Sequence, residues 1–286
     1  NMVTMPHLPK MQWDFEDQLM ASAQQVRTDG GTPETTYYVY DAGGQRVRKV
    51  TERQAAPGIE PTRMKERIYL GGFEIYREYN GEGENVVLER ETLHGMDDQQ
   101  RIALIETKTY EHKDGEILAA QKPLIRYQLG NHLGSAAVEV DGDGKVISYE
   151  EYYPYGNTAY QAVLNSIEVS LKRYRYTGKE RDQESGLYYY GARYYSAWLG
   201  RWVSCDPIGI KDNINIYVFS LNNSLKHIDS QGERTVVVTS VSDSFVGEIE
   251  DHSALFITPS NDDGAAEEGS TTELLYDYDF FLYDPA

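Results

Sequence analysis

The sequence predicts an all-β protein that is built from consecutive antiparallel β-hairpins. Three observations lead to this fold class. Short runs alternate apolar and polar side chains, turns rich in Gly and Asp separate these runs, and hardly any helical period is found before residue 160. In addition, the 286 residues include 24 Tyr but only 7 Phe, an excess that suits sheets because aromatic rings pair across neighbouring strands.

The first clear hairpin begins at Thr35. In TTYYVYDAGGQRVRKVTER two strands flank an Asp-Ala-Gly-Gly turn. Because side chains alternate along a strand, Tyr38 and Tyr40 are predicted on one face and Tyr37 and Val39 on the other.

Further hairpins are predicted around turns at residues 71–72, 113–115 and 141–144. The turn at 71–72 is Gly-Gly, which supplies the two positive φ angles of a type I′ turn. Residues 159–172 interrupt the pattern and predict a helix or a loop insertion, and residues 214–232 predict a strand followed by a polar turn. After this turn, TVVVTSV and HSALFI predict more strands.

Charge is distributed unevenly along the chain. The net charge is −19, which argues against a general nucleic-acid binder, because such proteins neutralise phosphates with clustered Lys and Arg. Residues 1–234 hold all 27 basic and 34 acidic residues, whereas residues 235–286 hold 12 acidic residues and no basic one. This shift in composition predicts a boundary near residue 234.

The sequence gives no indication of a metal, a cofactor or a membrane span. Cys205 is the single cysteine, so no internal disulfide and no cysteine-based metal site is expected. The six histidines contain no pair at ligand spacing, and no apolar run approaches the roughly 18 residues of a membrane helix.

Residues 174–209 carry a dense cluster of Tyr and Trp interleaved with Arg and Gly. The segment contains YTGKERDQESGLYYYGARYY, then WLGRW, then DPIG, and together these motifs are highly specific. They resemble the core of Rhs (rearrangement hot spot) proteins and of the C component of Tc insecticidal toxin complexes. The residues that carry this resemblance are Arg193, Tyr194, Tyr195, Trp198, Arg201, Trp202, Pro207, Gly209 and Gly232.

The resemblance implies a hollow shell of tyrosine-aspartate repeats, wound as a β-ribbon around a C-terminal toxin segment and capped by the core. It divides the chain into shell strands at 1–158, a core at 159–233 and the start of a variable toxin segment at 234–286. Asn1 resembles the middle of a repeat, so we expect a fragment of a longer protein.

In the resembling family two aspartates act as an aspartyl protease that cuts the chain just after the second of two DPxG motifs. Here the first motif is intact and contributes Asp206, whereas the second has become Asp229-Ser230-Gln231-Gly232. Two adjacent carboxyl groups cannot both ionise easily, so one can hold a proton while the other activates water. The predicted cut lies between Glu233 and Arg234. Both aspartates are also common turn formers, which leaves a structural role open.

Two functional hypotheses remain at this point. One is a self-cleaving β shell that isolates its own C-terminal toxin segment. Its expected partners are this segment and the rest of the parent shell, with a second shell subunit or an injection machine as a further partner. Such a protein is made in the bacterial cytoplasm and then secreted or delivered into target cells. The other is a structural or adhesive repeat scaffold that does not cleave. In both cases Arg193 and Arg201 are predicted to pack against aromatic rings or carboxylates.

Overall fold

The fold is an open antiparallel β-ribbon on which a second, smaller sheet packs. The computed structural model describes residues 1–97, 100–113, 115–118, 120–163, 172–211, 213–233, 235–237, 256–257 and 272–273. Within these ranges the regular elements are β-strands and three short 3-10 turns, at Tyr176–Gly178, Gly209–Lys211 and Ser220–Asn222. The predicted antiparallel β architecture is therefore confirmed.

We call the first thirteen strands the ribbon. Each strand pairs antiparallel with the next one along the chain, except that β9 pairs only with β8 and β8 also pairs with β10. The strands are β1 (Lys10–Trp13), β2 (Leu19–Ala23), β3 (Thr35–Tyr40), β4 (Arg46–Glu52), β5 (Arg63–Leu70), β6 (Phe73–Tyr79), β7 (Val86–Asp97), β8 (Gln100–Lys113), β9 (Glu116–Leu118), β10 (Leu124–Gly130), β11 (Ala136–Val140), β12 (Val146–Tyr152) and β13 (Thr158–Val163).

We call residues 172–211 and 213–233 the core module. It contains a four-stranded antiparallel sheet and the first strand of a separate two-stranded sheet. The remaining strands are β14 (Glu180–Arg181), β15 (Tyr188–Tyr189), β16 (Tyr194–Ser196), β17 (Arg201–Trp202), β18 (His227–Asp229), β19 (Thr235–Val237), β20 (Phe256–Ile257) and β21 (Thr272–Glu273). Here β18 pairs with β19, and β20 pairs with β21.

Five hairpin turns of the ribbon use the same side-chain device. An Asp or Asn at the end of a strand accepts hydrogen bonds from backbone N–H groups two to five residues later. Because such short polar side chains mimic a backbone turn, they favour reversal of the chain. The residues that do this are Asp14, Asp41, Asn80, Asn131 and Asp141.

The predicted hairpin at 71–72 is present, but its turn type differs. Leu70 pairs with Phe73, which leaves a two-residue loop. Gly71 has a φ of 67°, whereas Gly72 is not among the residues with positive φ. A type I′ turn needs positive φ at both positions, so this turn has the pattern of type II′.

Two other sequence predictions need correction. The helix or loop predicted for 159–172 is wrong in its first half, because β13 continues the ribbon to Val163 and pairs with β12; residues 164–171 lie outside the described residues. The strand predicted from residue 214 is also wrong. Asn213 and Asn215 accept backbone N–H bonds from residues two positions later, which replaces strand pairing by turns.

Apolar packing joins the core module to the ribbon. One cluster combines Leu8, Leu19 and Tyr38 of the ribbon side with Leu187 and Tyr194 of the core module. A second cluster lies mostly within the core module and stacks the rings of Tyr195 and Phe219, whose centroids are 3.8 Å apart. The first cluster thus joins the two parts, and the second fills the interior of the core module with aromatic rings.

A network of buried charges also joins the two parts. Arg46 on β4 pairs with Glu180 (2.6 Å) and with Asp182 (2.7 Å) of the core module, and all three side chains are at most 4% exposed. Lys49 on the same strand lies 2.8 Å from Asp182 and 3.0 Å from Glu184. Each buried charge thus has an opposite charge beside it, which is the condition under which burial is tolerated.

The pKa of Glu180 reflects this network. Burial alone would raise it, but the charges of Lys49, Arg46 and Arg173 lower it to about 2, below its ordinary value of 4.5. Because the folded pKa is depressed, the stabilisation from the ionised group is complete above pH 4.5 and is lost as the pH falls toward 2.

Replacement of Arg46 by Met should lower the free energy of unfolding at neutral pH by about 3–5 kcal/mol, because Glu180 and Asp182 would stay buried without their main partner. Urea denaturation measures the change. The matched control is Arg27→Met, since Arg27 pairs with Asp29 at the surface and such pairs contribute little. Equal effects of the two substitutions would contradict this view of the network.

Candidate functional site

The candidate site is a buried arginine that lies between two aspartates. Nη1 of Arg193 is 2.8 Å from Oδ2 of Asp206, and Nη2 is 3.4 Å from Oδ2 of Asp229. The three side chains are at most 4% exposed. The structure thus brings together the two predicted aspartates, which are far apart in sequence, and shows Arg193 as the group that joins them.

Arg193 is positioned by a tight connection between β15 and β16. The N–H of Tyr190 donates to the carbonyl of Arg193 (3.0 Å), and Gly191 has a φ of 97° that favours glycine. The guanidinium carbon lies 4.2 Å from the ring centre of Trp202 on β17. This stacking and the two carboxylates fix the plane of the guanidinium.

Asp206 lies in the turn that the first motif predicts. Its Oδ1 accepts the N–H of Ile208 (3.0 Å), and its carbonyl accepts the N–H of Gly209 (3.0 Å). Pro207 occupies a turn position that suits its fixed φ, and Gly209 has a φ of 73°. Asp206 is therefore a turn residue whose second carboxylate oxygen is directed at Arg193.

Asp229 ends β18 and organises the second motif. Its Oδ1 accepts three backbone N–H groups, from Gln231 (3.2 Å), Gly232 (2.6 Å) and Glu233 (3.2 Å). Nε of Arg193 donates to the carbonyl of Gly232. The arginine thus contacts both carboxylates and the backbone just before the predicted cut.

Burial raises the pKa of Asp229 to about 6, against the opposing effects of the Arg193 charge and the three backbone N–H groups. A carboxyl group with this pKa holds a proton in mildly acidic solution. Such a group can act as the acid in general acid–base chemistry.

A residue that sequence reasoning did not assign also reaches the second motif. Lys179, in the YTGKERD motif, donates from Nζ to the carbonyl of Ser230. Both residues, together with Asp229, border a cavity of about 710 Å³ between the ribbon and the core module. Lys179 and Ser230 are 51 positions apart, so local sequence patterns could not predict their contact. The only sequence signal at Lys179 is its place in the YTGKERD motif.

The other predicted core residues lie at different depths. Tyr194, Tyr195 and Trp202 are buried in the two apolar clusters, whereas Trp198 is 47% exposed and contacts His7 edge-on. The prediction for Arg201 is wrong. Along β17 side chains alternate, so Trp202 points inward and Arg201 is exposed, with no ion pair or ring contact to residues in the described ranges.

The structure describes the residue before the predicted cut, Glu233, but not the residue after it. The N–H of Glu233 is bound to Asp229 and its side chain is exposed, while Arg234 lies outside the described residues. In the described part of the chain no group of three or more His, Cys, Asp or Glu side chains could bind a metal ion. Over the same residues the structure contains no apolar helix of membrane-spanning length.

The comparisons with known proteins find toxin subunits among the relatives of this chain. The chain is 36% identical over 222 residues to toxin subunit YenC1 of Yersinia entomophaga, and 40% identical over 199 residues to toxin subunit YenC2 of the same organism. The chain is related to the Rhs-type C subunits of Tc toxins. The alignments cover 78% and 68% of this chain but only 22% and 19% of those relatives.

The Tc-type relationship extends to the fold. The crystal structure of TcdB2–TccC3 superimposes with a TM-score of 0.68 at 31% identity, covering 80% of this chain and 10% of that one. No protein-family model matches the chain. The chain thus corresponds to about a fifth of the curated relatives and a tenth of the solved chain.

Arg193 and Arg201 form a matched pair for a test of the site. Arg193→Lys should lower the free energy of unfolding by about 2 kcal/mol or more, because an ammonium group cannot contact both carboxylates and stack on Trp202 at once. Arg201→Lys should leave stability unchanged, since its side chain is exposed. Thermal and urea denaturation of both variants measure the difference, and a larger effect at Arg201 would contradict the assignment.

Proposed function

We propose that this chain is the C-terminal part of the β shell of an Rhs/Tc-type toxin, and that it separates its own toxin segment from the shell by aspartyl autoproteolysis. The observation that carries the proposal is the pairing of Asp206 and Asp229 with Arg193, at a turn that directly precedes the predicted cut. The relationship to Tc toxin subunits supports the toxin context.

The cleavage step assigns a role to each carboxyl group. Asp206 in its ionised form removes a proton from water as the oxygen attacks the carbonyl carbon of Glu233. Asp229, whose pKa is raised to about 6, donates its proton to the departing nitrogen of Arg234. Arg193 keeps the two groups at one place and balances the negative charge of the base.

The proposal divides the chain into three functional parts. Residues 1–158, with β13 as far as Val163, form shell strands, the residues from there to 233 form the core with the cleavage site, and residues 234–286 begin the enclosed toxin segment. The solved complex contains TcdB2 with TccC3, which supports a second shell subunit as a partner. We further propose that the protein is delivered to target cells by such a complex after synthesis in the bacterial cytoplasm.

A scaffold that does not cleave is the second candidate, and a specific observation favours it. Both aspartates are satisfied turn residues, with hydrogen bonds like those of the ribbon turns. The second motif also has Ser230 and Glu233 where the family pattern has Pro and an apolar residue. In that case the shell would keep its toxin segment attached.

Substitution by Asn separates the two candidates. The wild-type chain should be cut between Glu233 and Arg234, and Asp206→Asn or Asp229→Asn should leave it whole, because Asn preserves the shape but cannot transfer the proton. Intact mass spectrometry of the expressed chain measures cleavage.

The matched control is Asp141→Asn, which alters a turn aspartate with equivalent backbone hydrogen bonds and should not affect cleavage. An uncut wild-type chain would support the scaffold. Cleavage of either site variant at the wild-type rate would remove the dyad from the proposal, provided that melting temperatures agree.

Cleavage should also depend on pH. Since burial raises the pKa of Asp229 from 3.8 to about 6, the protonated acid persists to about pH 6 and is lost above it. The rate should therefore fall as the pH rises through 6. The same shift means that the contribution of Asp229 to stability is complete below pH 3.8 and declines as the pH rises to 6. Single-turnover cleavage at pH values from about 4 to 8 measures the profile, and a rate that increases steadily with pH would contradict this assignment.

A further inference from the structure

A second cavity between the ribbon and the core module has a wall that is rich in positive charge. Its volume is about 440 Å³, and we call it the basic cavity. Eight Lys or Arg side chains line it, from β4, β5, β7 and residues 172–181, together with five Asp or Glu side chains. Eight positive and five negative groups leave a formal charge of +3 on the wall, whereas the whole chain carries −19. The basic cavity is therefore an exception to the acidic character of the chain.

Part of this charge lies in a row across the face of the ribbon that carries the core module. Lys49 on β4 is paired with Arg67 on β5. Arg67 is paired with Tyr76 on β6, and Tyr76 with Arg90 on β7. Directly paired side chains share one face of a sheet, and Tyr38, which is paired with Lys49, packs in the cluster that joins the ribbon to the core module. Like charges at opposite positions repel each other, so the row favours anions in the basic cavity.

Two of the eight cations have unused binding capacity. The other six have a carboxylate oxygen within 3.4 Å. In the described part of the chain, Arg90 forms one ion pair, with Glu106 at 4.0 Å, and Glu106 also pairs with Arg126. Arg181 donates to the carbonyl of Gly186 (3.3 Å) and forms no ion pair with the residues that the structure describes. A guanidinium has five N–H donors, so both arginines can bind a further carboxylate.

The chain itself contains a segment of complementary charge. Residues 235–286 hold 12 acidic residues and no Lys or Arg. The acidic residues occur in groups, the first at 243–251 and the second at 262–268. A carboxylate from either group would give Arg90 or Arg181 the close anion that each lacks.

The chain also leaves the core module close to the basic cavity. The second motif borders the cavity of about 710 Å³, and Arg46 in the wall of that cavity pairs with Asp182 in the wall of the basic cavity (2.7 Å). The two cavities are thus neighbours. Asp243 follows Val237 at the end of β19 by six residues, and six extended residues span about 20 Å. This reach exceeds the thickness of the wall between the cavities.

We infer that the basic cavity is a docking site for carboxylate side chains of residues 235–286, with Arg90 and Arg181 as the groups that bind them. This inference rests on the proposed function, in which the same residues begin the enclosed toxin segment. A cavity of this volume accepts a few side chains and not a folded domain. Charge attraction holds the segment there, so the contact weakens as salt is added.

Carbodiimide cross-linking tests the contact, because the reagent joins a carboxylate to a lysine amine that lies beside it. Lys65 in the wall of the basic cavity is the reporter, and its link to Glu184, 2.9 Å away, is the internal reference. The whole chain is used with Asp206→Asn, which is expected to stay uncut. Chymotrypsin digests the product, since residues 235–286 contain no site for trypsin, and mass spectrometry identifies the linked peptides.

Lys65 should form links to Asp or Glu residues within 235–286 at low salt. These links should decrease as salt is raised from about 0.05 M to about 1 M, where the screening length falls to about 3 Å. The reference link to Glu184 should persist, because the two groups are already in contact. A segment that is absent from the basic cavity would give the reference link alone, and that result would overturn the inference.

Two arginine substitutions test the assigned binding groups. Arg90→Gln combined with Arg181→Gln removes two charges without breaking a close ion pair. It should lower the yield of links between Lys65 and residues 235–286 about threefold or more. The matched control is Arg201→Gln, at an exposed position without an ion pair in the described ranges, and it should leave the yield unchanged. Equal yields in the double variant and the control would overturn the assignment. If the double variant does not fold, Arg181→Gln alone decides.

The outcomes separate this inference from the proposed function. An uncut wild-type chain would overturn cleavage but leave the cross-linking result intact. A wild-type chain that is cut, with no link from Lys65 to residues 235–286 in the uncut variant, would support cleavage and overturn the docking site. A mixture of unlabelled and ¹⁵N-labelled chains identifies links between two copies, and links found only between copies would also overturn it.

Discussion

The structure depends on the burial of opposite charges between the ribbon and the core module. Arg46 and Lys49 on β4 meet Glu180, Asp182 and Glu184, and every partner comes from the other side of the interface. Burial of an unpaired charge costs several kcal/mol, so a displaced register between the two parts would be strongly disfavoured. Apolar packing supplies much of the driving force, but the charge pairs specify one arrangement.

This specified arrangement extends to the candidate site. Glu180 begins β14, and β14 pairs with β15, which pairs with β16. Arg193 lies in the connection between the last two strands and joins Asp206 to Asp229. The network at one end of the small sheet and the guanidinium at its β15–β16 connection are therefore parts of one rigid framework, and such support is what a site with defined geometry requires.

The sequence allowed the hairpins to be predicted because their turn residues act locally. The Asp141 turn depends on hydrogen bonds within five residues, and the alternation of Tyr37 to Tyr40 appears as alternating exposure. The turn type at Gly71 and the outward direction of Arg201 depend on neighbouring strands, so local patterns predicted them wrongly. Likewise, the aspartates were identified from motifs, whereas the position of Arg193 between them results from tertiary packing.

The pairing of β18 with β19 has a consequence for the fate of a severed chain. Thr235 to Val237 pair with His227 to Asp229 across the turn that contains the proposed cut. Hydrolysis after Glu233 would thus leave the downstream fragment bound to β18 by the backbone hydrogen bonds of a short hairpin. The fragment would dissociate only after these strands separate. Two-stranded hairpins are marginally stable alone, so this separation requires little free energy. Bond scission and departure are then separate events, and a pulling force or unfolding of the fragment controls the second.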